Sequence, residues 1–251
     1  MSDAHLGYAP GEVERDVIAF FRHVARQAGS LVVNGDLFEF WFEWSSVIPR
    51  HGFRALAALA DVVDAGVPVL MIAGNHDCWG GDVLRNDVGV DYRFGPWVGD
   101  IGGWRTRLEH GDGLRPTEDK KYRMLRPVLR NPLAIRSFRR LHPDWATRLA
   151  TGSAHASRTY GAVDGGRGLL AAAIRAEQAD PALDLLVFGH SHVAAIERLP
   201  GGAAYGNPGS WLDAPTFLRV TDDRVALRRW EGSAESADLD ALHGTPEEPL
   251  A

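Results

Sequence analysis

Two spacings of apolar residues alternate along the first third of the chain. Val13, Val17, Phe20, Phe21 and Val24 fall on one face of a 3.6-residue spiral, so residues 13–28 predict an amphipathic helix that Gly29 ends. Leu31, Val32 and Val33 predict a short buried strand. Residues 53–63 return to helical spacing before Gly66, and residues 67–73 predict a second strand through Val67, Val69, Leu70, Met71 and Ile72. Strands that alternate with helices imply parallel βαβ units.

After Gly89 the runs shorten. Residues 90–94, 97–101 and 104–109 read as strands, and Gly102-Gly103 between the last two suits a tight hairpin turn. Residues 183–188 predict another apolar strand, followed by 193–199, 203–205, 217–221 and 225–230 as an antiparallel series. Residues 114–167 break this plan with helices predicted over 118–130 and 132–151. The expected fold is α/β (α+β): a four-layer α-β-β-α sandwich of two mixed sheets, in one domain over 1–251. A helical cap over about 114–167 and a flexible tail over 231–251, rich in Ala, Glu and Pro, complete it.

The net charge of -6 argues against a general nucleic-acid binder, and no nucleic-acid partner is expected. The charge is uneven. Arg115, Lys120, Lys121, Arg123, Arg126, Arg130, Arg136, Arg139, Arg140 and Arg148 crowd into the cap against Glu118, Asp119 and Asp144. One cysteine, Cys78, excludes an internal disulfide and a cysteine-based zinc site, and fits a reducing cytoplasm. No apolar run approaches the ~20 residues of a membrane span, and the N-terminus has no apolar signal core.

Five polar islands carry the chemistry: Asp3 and His5; Asp36 after Gly35; Gly74-Asn75-His76-Asp77; His110-Gly111-Asp112; and His190 with His192. Four follow predicted strands, and ligands gather beyond the carboxyl ends of such strands. Only Met1 and Ser2 precede Asp3, so the first strand is expected to be cut short by a start that lies upstream. Any one island is an ordinary turn or strand-end residue. Taken in order, they supply carboxylate, amide and imidazole donors of the kind that divalent ions of intermediate hardness accept. Asp3, His5, Asp36 and His192 are assigned to one ion, and Asp36, Asn75, His110 and His190 to a second, with Asp36 as the bridge. Paired ions activate water against phosphorus, and His76 is left to protonate the leaving oxygen. Asp77 is expected to orient His76, Asp112 to brace the loop after His110, and Cys78 to pack as a small hydrophobe. His23, His51, His142, His155 and His243 are expected at the surface or in packing.

The ordered islands, spread over residues 2–211, resemble the calcineurin-like metallophosphoesterase superfamily. That resemblance implies two metals, often manganese. A narrower resemblance rests on Gly35-Asp36-Leu37-Phe38-Glu39-Phe40-Trp41, on His110-Gly111-Asp112-Gly113-Leu114, and on the cap stretches around Tyr122, Asn131-Pro132 and His142-Pro143. These are similar to the UDP-2,3-diacylglucosamine diphosphatases of lipid A synthesis. The resemblance implies a peripheral membrane enzyme that splits a lipid-linked nucleotide at its pyrophosphate and releases UMP. Its cap would hold acyl chains, here through Leu125, Val128, Leu129, Leu133, Ile135, Phe138 and Leu141, with basic residues near the inner face of the membrane. Asp119, Tyr122 and Ser157 would lie near substrate. One branch of that family carries Arg where this chain has His76. The alternative is a phosphodiesterase or phosphatase acting on a nucleotide or other small phosphoester.

Overall fold

The structure is a computed structural model that describes residues 1–157 and 164–244, the side chains of 151–157 excepted. The chain runs α1 (Gly11–Gln27), β1 (Leu31–Asn34), α2 (Phe53–Asp64), β2 (Val69–Ile72), a π turn (Val83–Asp87), β3 (Asp91–Arg93), β4 (Trp97–Ile101) and β5 (Trp104–Leu108). Then come α3 (Lys120–Leu129), α4 (Pro132–Phe138), α5 (Pro143–Ser157), α6 (Arg167–Ala179), β6 (Leu185–Val187), β7 (Ala195–Arg198) and β8 (Ala204–Asn207). β9 (Thr216–Val220), β10 (Arg224–Arg229) and β11 (Asp240–His243) end the described chain.

Alternation along the strands builds the layers, because successive side chains point to opposite faces. β1, β2 and β3 form a parallel sheet in that order. Leu31, Val33, Val69 and Met71 turn toward α1 and α2, where they pack with Phe21, Leu56 and Leu59. The intervening Val32, Leu70 and Ile72 face the other way and meet Trp104, Leu108, Leu185 and Val187. Those residues belong to a mixed sheet ordered β4-β5-β6-β8-β7. Its opposite face presents Leu186, Phe188 and Tyr205 to Leu169 and Ala173 of α6. Helices, sheet, sheet and helix are therefore stacked as four layers, each boundary filled by one parity of the strand residues.

Four details differ from the sequence expectation. The strands hydrogen-bond as three sheets, since β9, β10 and β11 form their own antiparallel unit. β11 lies in the stretch expected to be flexible, and Arg224 and Arg228 hold it through Asp238 at 2.8 and 2.6 Å. The helix expected over 132–151 is two helices, because Pro143 lacks an N–H and disfavours helical backbone at the residue before it. Asn131 caps α4 by accepting from Leu133 N (2.8 Å) and Ala134 N (3.3 Å). Helix α6 gave no clear signal, since its buried residues are two alanines and Glu177 beside the single large apolar Leu169. At the other end of the chain, residues 1–6 lie beside 32–37, with Asn34 N donating to Met1 O (2.9 Å) and Leu6 N to Leu37 O (2.9 Å).

The helices after β5 are anchored by aromatic residues. Phe40, Phe42 and Trp44 leave the Asp36 loop and pack against Trp79, Ile135, Phe138 and Ala146. Phe42 and Phe138 rings lie 5.0 Å apart, and Trp79 Nε1 donates to Leu129 O at 2.9 Å. Ile135 and Phe138 thus face inward, while Met124, Leu125, Val128, Leu133, Leu141, Trp145 and Leu149 are exposed. The apolar residues expected to line one groove are split between two faces. Among the described residues no helix is long and apolar enough to cross a membrane. Phe42→Ala is expected to cost about 3–5 kcal/mol, the range for truncating a buried phenylalanine. Urea unfolding followed by tryptophan fluorescence measures it, and limited proteolysis should show earlier cleavage within 120–157.

Candidate metal centre

The sequence islands converge. β1 leads into Asp36, β2 into Asn75 and His76, β5 into His110, and β6 into His190 and His192. Asn34 joins the two inner sheets here, donating from Nδ2 to Glu109 O (3.1 Å) and Val187 O (3.3 Å). Among the described residues, the non-glycine residues with left-handed backbone are Asp3 (φ 56), His5 (φ 47), Asp36 (φ 52), His190 (φ 61) and His192 (φ 60). All five carry donors named from the sequence. Such backbone costs ~1–3 kcal/mol per residue and persists where its surroundings leave no alternative. Close packing of these turns also explains two glycines. A Cβ on Gly74 would lie 2.7 Å from Asp36 N, and one on Gly35 would lie 2.9 Å from the Cα of Gly74.

Donor atoms face one another in three groups: Asp3 with His5 and His192, Asp36 with His110 and His190, and His5 with Glu39 and His76, the first two holding residues assigned as ligands. Each set lies within 4.8 Å. Asp36 Oδ2 is 3.1 Å from His110 Nε2 and 4.0 Å from His5 Nε2, so it looks toward both ligand groups. His192 Nε2 is 3.4 Å from Asp3 Oδ1 and 3.3 Å from His5 Nε2. Asp3 Oδ1, Asn75 Oδ1 and His110 Nε2 are buried with no hydrogen bond inside the protein. Buried polar atoms are ordinarily paired. Buried atoms without hydrogen bonds, beside clustered carboxylate and imidazole donors, fit divalent metal binding.

The far side of each ring is braced, which aims the near side. His5 Nδ1 donates to Glu39 Oε2 (3.2 Å), His76 Nδ1 to Glu39 O (2.8 Å), and His110 Nδ1 to Asn34 O (2.9 Å). His192 Nδ1 donates to Asp213 Oδ2 (3.1 Å), and His190 Nε2 to Asp119 Oδ1 (3.1 Å). Burial opposes ionisation of Asp3, but the charges of His110 and His192 prevail and hold it at about 2. Asp36 is likewise pulled well below the carboxylate range, burial being outweighed chiefly by His110 and His76. Burial would lower His110, yet Asp36 and Asp3 hold it well above the ordinary histidine value. His5 falls to about 3, mainly through burial.

Six of the seven residues assigned as ligands fall in these groups, and Asn75, on the same loop as His76, carries a buried Oδ1 without a hydrogen bond; the His76 ring is 4.9 Å from that of His5. Of the three residues expected near substrate, Asp119 meets His190, while Tyr122 has a buried hydroxyl. The Ser157 side chain lies outside the described residues. Asp77 does not orient His76: it accepts from Leu37 N (2.9 Å) and Gly74 N (2.8 Å) and ties the two loops together. Burial, then the charge of Asp36, raises its carboxyl to about 7. Asp112 reaches α3, with Arg130 Nη2 at 3.2 Å. The sequence reading missed Glu39, whose buried carboxylate accepts from His5 and whose backbone carbonyl accepts from His76. Its signal was the third position after Asp36, in a stretch read for its aromatics. Asp213 and Arg115 were also missed.

The family described as Calcineurin-like phosphoesterase matches residues 1–194. The chain belongs to that family. This phosphoesterase is 31% identical to a UDP-2,3-diacylglucosamine hydrolase of Porphyromonas gingivalis, over 84% of the chain and 88% of the relative. It is also 31% identical to a protein of the same name from Xanthomonas oryzae, over 92% and 97%. A solved dimetal phosphatase from Danio rerio aligns over 98% of both chains at 12% identity, with a TM-score of 0.48. Family and donor set together make the phosphoesterase a hydrolase that binds divalent metal. The raised His110 value has a consequence for metal uptake. Asp36 and Asp3 hold the His110 proton more tightly than that of an ordinary histidine, and a ligating ring must lose it. Metal binding by this phosphoesterase should therefore release protons, and affinity should keep rising with pH above the ordinary histidine range. Calorimetry in buffers of different ionisation enthalpy measures the release.

Proposed function

We propose that the chain is a dimetal phosphoesterase that cleaves the pyrophosphate of UDP-2,3-diacylglucosamine, giving UMP and diacylglucosamine 1-phosphate. The observation that carries the reaction type is the pair of facing donor groups with their buried, unpaired Asp3, Asn75 and His110 atoms. The relatives' shared name supports the substrate. The outward face of α3 and α5 supports it too, where exposed Leu125, Val128, Trp145 and Leu149 lie among arginines suited to anionic lipid heads. On this reading the enzyme works at the cytoplasmic face of a membrane, and manganese is the proposed ion.

Asp3, His5, Asp36 and His192 would hold one ion, and Asp36, Asn75, His110 and His190 the other. When bound, such a pair makes water nucleophilic at neutral pH and draws charge from the phosphoryl oxygens. His76 is the proposed proton donor to the leaving oxygen. Its Nδ1 proton is engaged by Glu39 O, so Nε2 is the atom left to donate, and the ring must be imidazolium to do so. Glu39 Oε2, 3.8 Å from Nδ1, supplies the counter-charge. A second reading, hydrolysis of small nucleotides, is favoured by the inward turn of Ile135 and Phe138, which removes them from any acyl groove.

Asp36→Ala should lose both ions and nearly all turnover. His76→Ala should keep both ions, by elemental analysis, while turnover slows ~10²–10⁴-fold. A metal-poor His76→Ala would make His76 a ligand instead. Manganese-loaded protein given UDP-2,3-diacylglucosamine should release UMP. Cleavage of model diesters without UMP release would reject the lipid substrate and leave the small-nucleotide reading.

A further inference from the structure

Arg115 is 2% exposed and the proposed chemistry does not use it. Arginine is rarely so buried unless its charge is paired. Its Nη2 and Nε donate to Asp119 Oδ1 at 2.8 and 3.2 Å, and its backbone N donates to Asp119 Oδ2 at 3.1 Å. Gly113 N donates to that second oxygen at 3.0 Å. The carboxylate is thereby held from the helix stem on two sides, and its Oδ1 meets His190 Nε2. With Nε2 engaged, Nδ1 is the nitrogen of His190 left for the group it forms with Asp36 and His110.

The same guanidinium reaches the far stem of the helical segment. Arg115 Nη1 is 3.7 Å from Asp164 Oδ1, and Asp164 accepts from Gly166 N (3.0 Å) and Gly168 N (2.7 Å) at the start of α6. A Cβ on Gly168 would lie 2.9 Å from Arg115 Cγ, so the arginine stem fills the space beside α6. We propose that Arg115 is a positioning residue, which fixes Asp119 so that the His190 ring turns Nδ1 toward the second ion. The proposal rests on the dimetal reading above. The alternative is a clamp that only joins the two stems.

The test is manganese titration of the full chain, followed by the electron spin resonance of free Mn²⁺, with kcat and KM measured on the same samples. Wild type should bind two ions; fewer would sink the dimetal reading itself, apart from any role of Arg115. R115M and R115K should each weaken one ion, by ~10–100-fold for R115M, the usual loss when a ligand's outer partner is removed. R115K should fall between R115M and wild type, because lysine keeps the charge without the fork. In both variants kcat should fall more than KM changes. D164N should lower the melting temperature and leave both affinities intact. Two ions bound with wild-type affinity in R115K and R115M would overturn the proposal. Equal weakening in D164N would also overturn it, because a stem clamp predicts that result. Should R115M lack a cooperative melt, R115K decides alone.

Discussion

The carboxylates of Asp3 and Asp36 are both buried against His110, 4.0 and 3.1 Å from its Nε2, and the remaining architecture of the centre answers that one arrangement. A lone ionised carboxylate out of water costs several kcal/mol, and two together repel. The fold does not neutralise them by protonation. It surrounds them with imidazoles, whose charge holds both acids ionised despite burial. Imidazoles alone leave Asp3 Oδ1 and His110 Nε2 unpaired. A cation between them would satisfy oxygen and nitrogen together, which explains why the site tolerates so many unpaired atoms.

Holding these groups also requires unfavourable backbone. Five left-handed non-glycine residues at ~1–3 kcal/mol each approach the whole net stability of a domain, about 5–15 kcal/mol. The rest of the molecule must over-determine them. Two sheets meet with their carboxyl ends side by side, and Asn34 joins them by donating to carbonyls from β5 and β6 neighbours. Asp77 fastens the second loop to the first. The strain is local, and it is sustained by the sheet core behind it.

The helical segment after β5 enters the same balance from outside. Its inner face is fixed on Phe40, Phe42 and Trp79, close in sequence to Asp36 and His76. Its stem carries Asp119 onto His190. Whatever the outer apolar face meets is therefore connected to the centre by two short routes, one through packed aromatics and one through buried charge. This gives the segment a part in the hydrolase beyond covering it.

Local pattern determined much of this protein. The spacing of Val17, Phe20, Phe21 and Val24 sufficed for α1, Gly102-Gly103 for the β4–β5 hairpin, and the strand-end islands for the donor set, because each depends on residues near one another in the chain. Where local signals were weak or opposed, the reading failed. Alanines on the buried face of α6 gave little contrast, and the polar stretch around β11 is held by Arg224 and Arg228 from a neighbouring strand. Tertiary structure alone decided which acceptor serves which ring. Glu39 rather than Asp77 braces His76, and Asp119 reaches His190 across 71 residues. Sequence spacing reports which face of an element is apolar. It carries no record of partners brought together only when distant strand ends meet, and hydrogen bonds reach no further than about 3 Å.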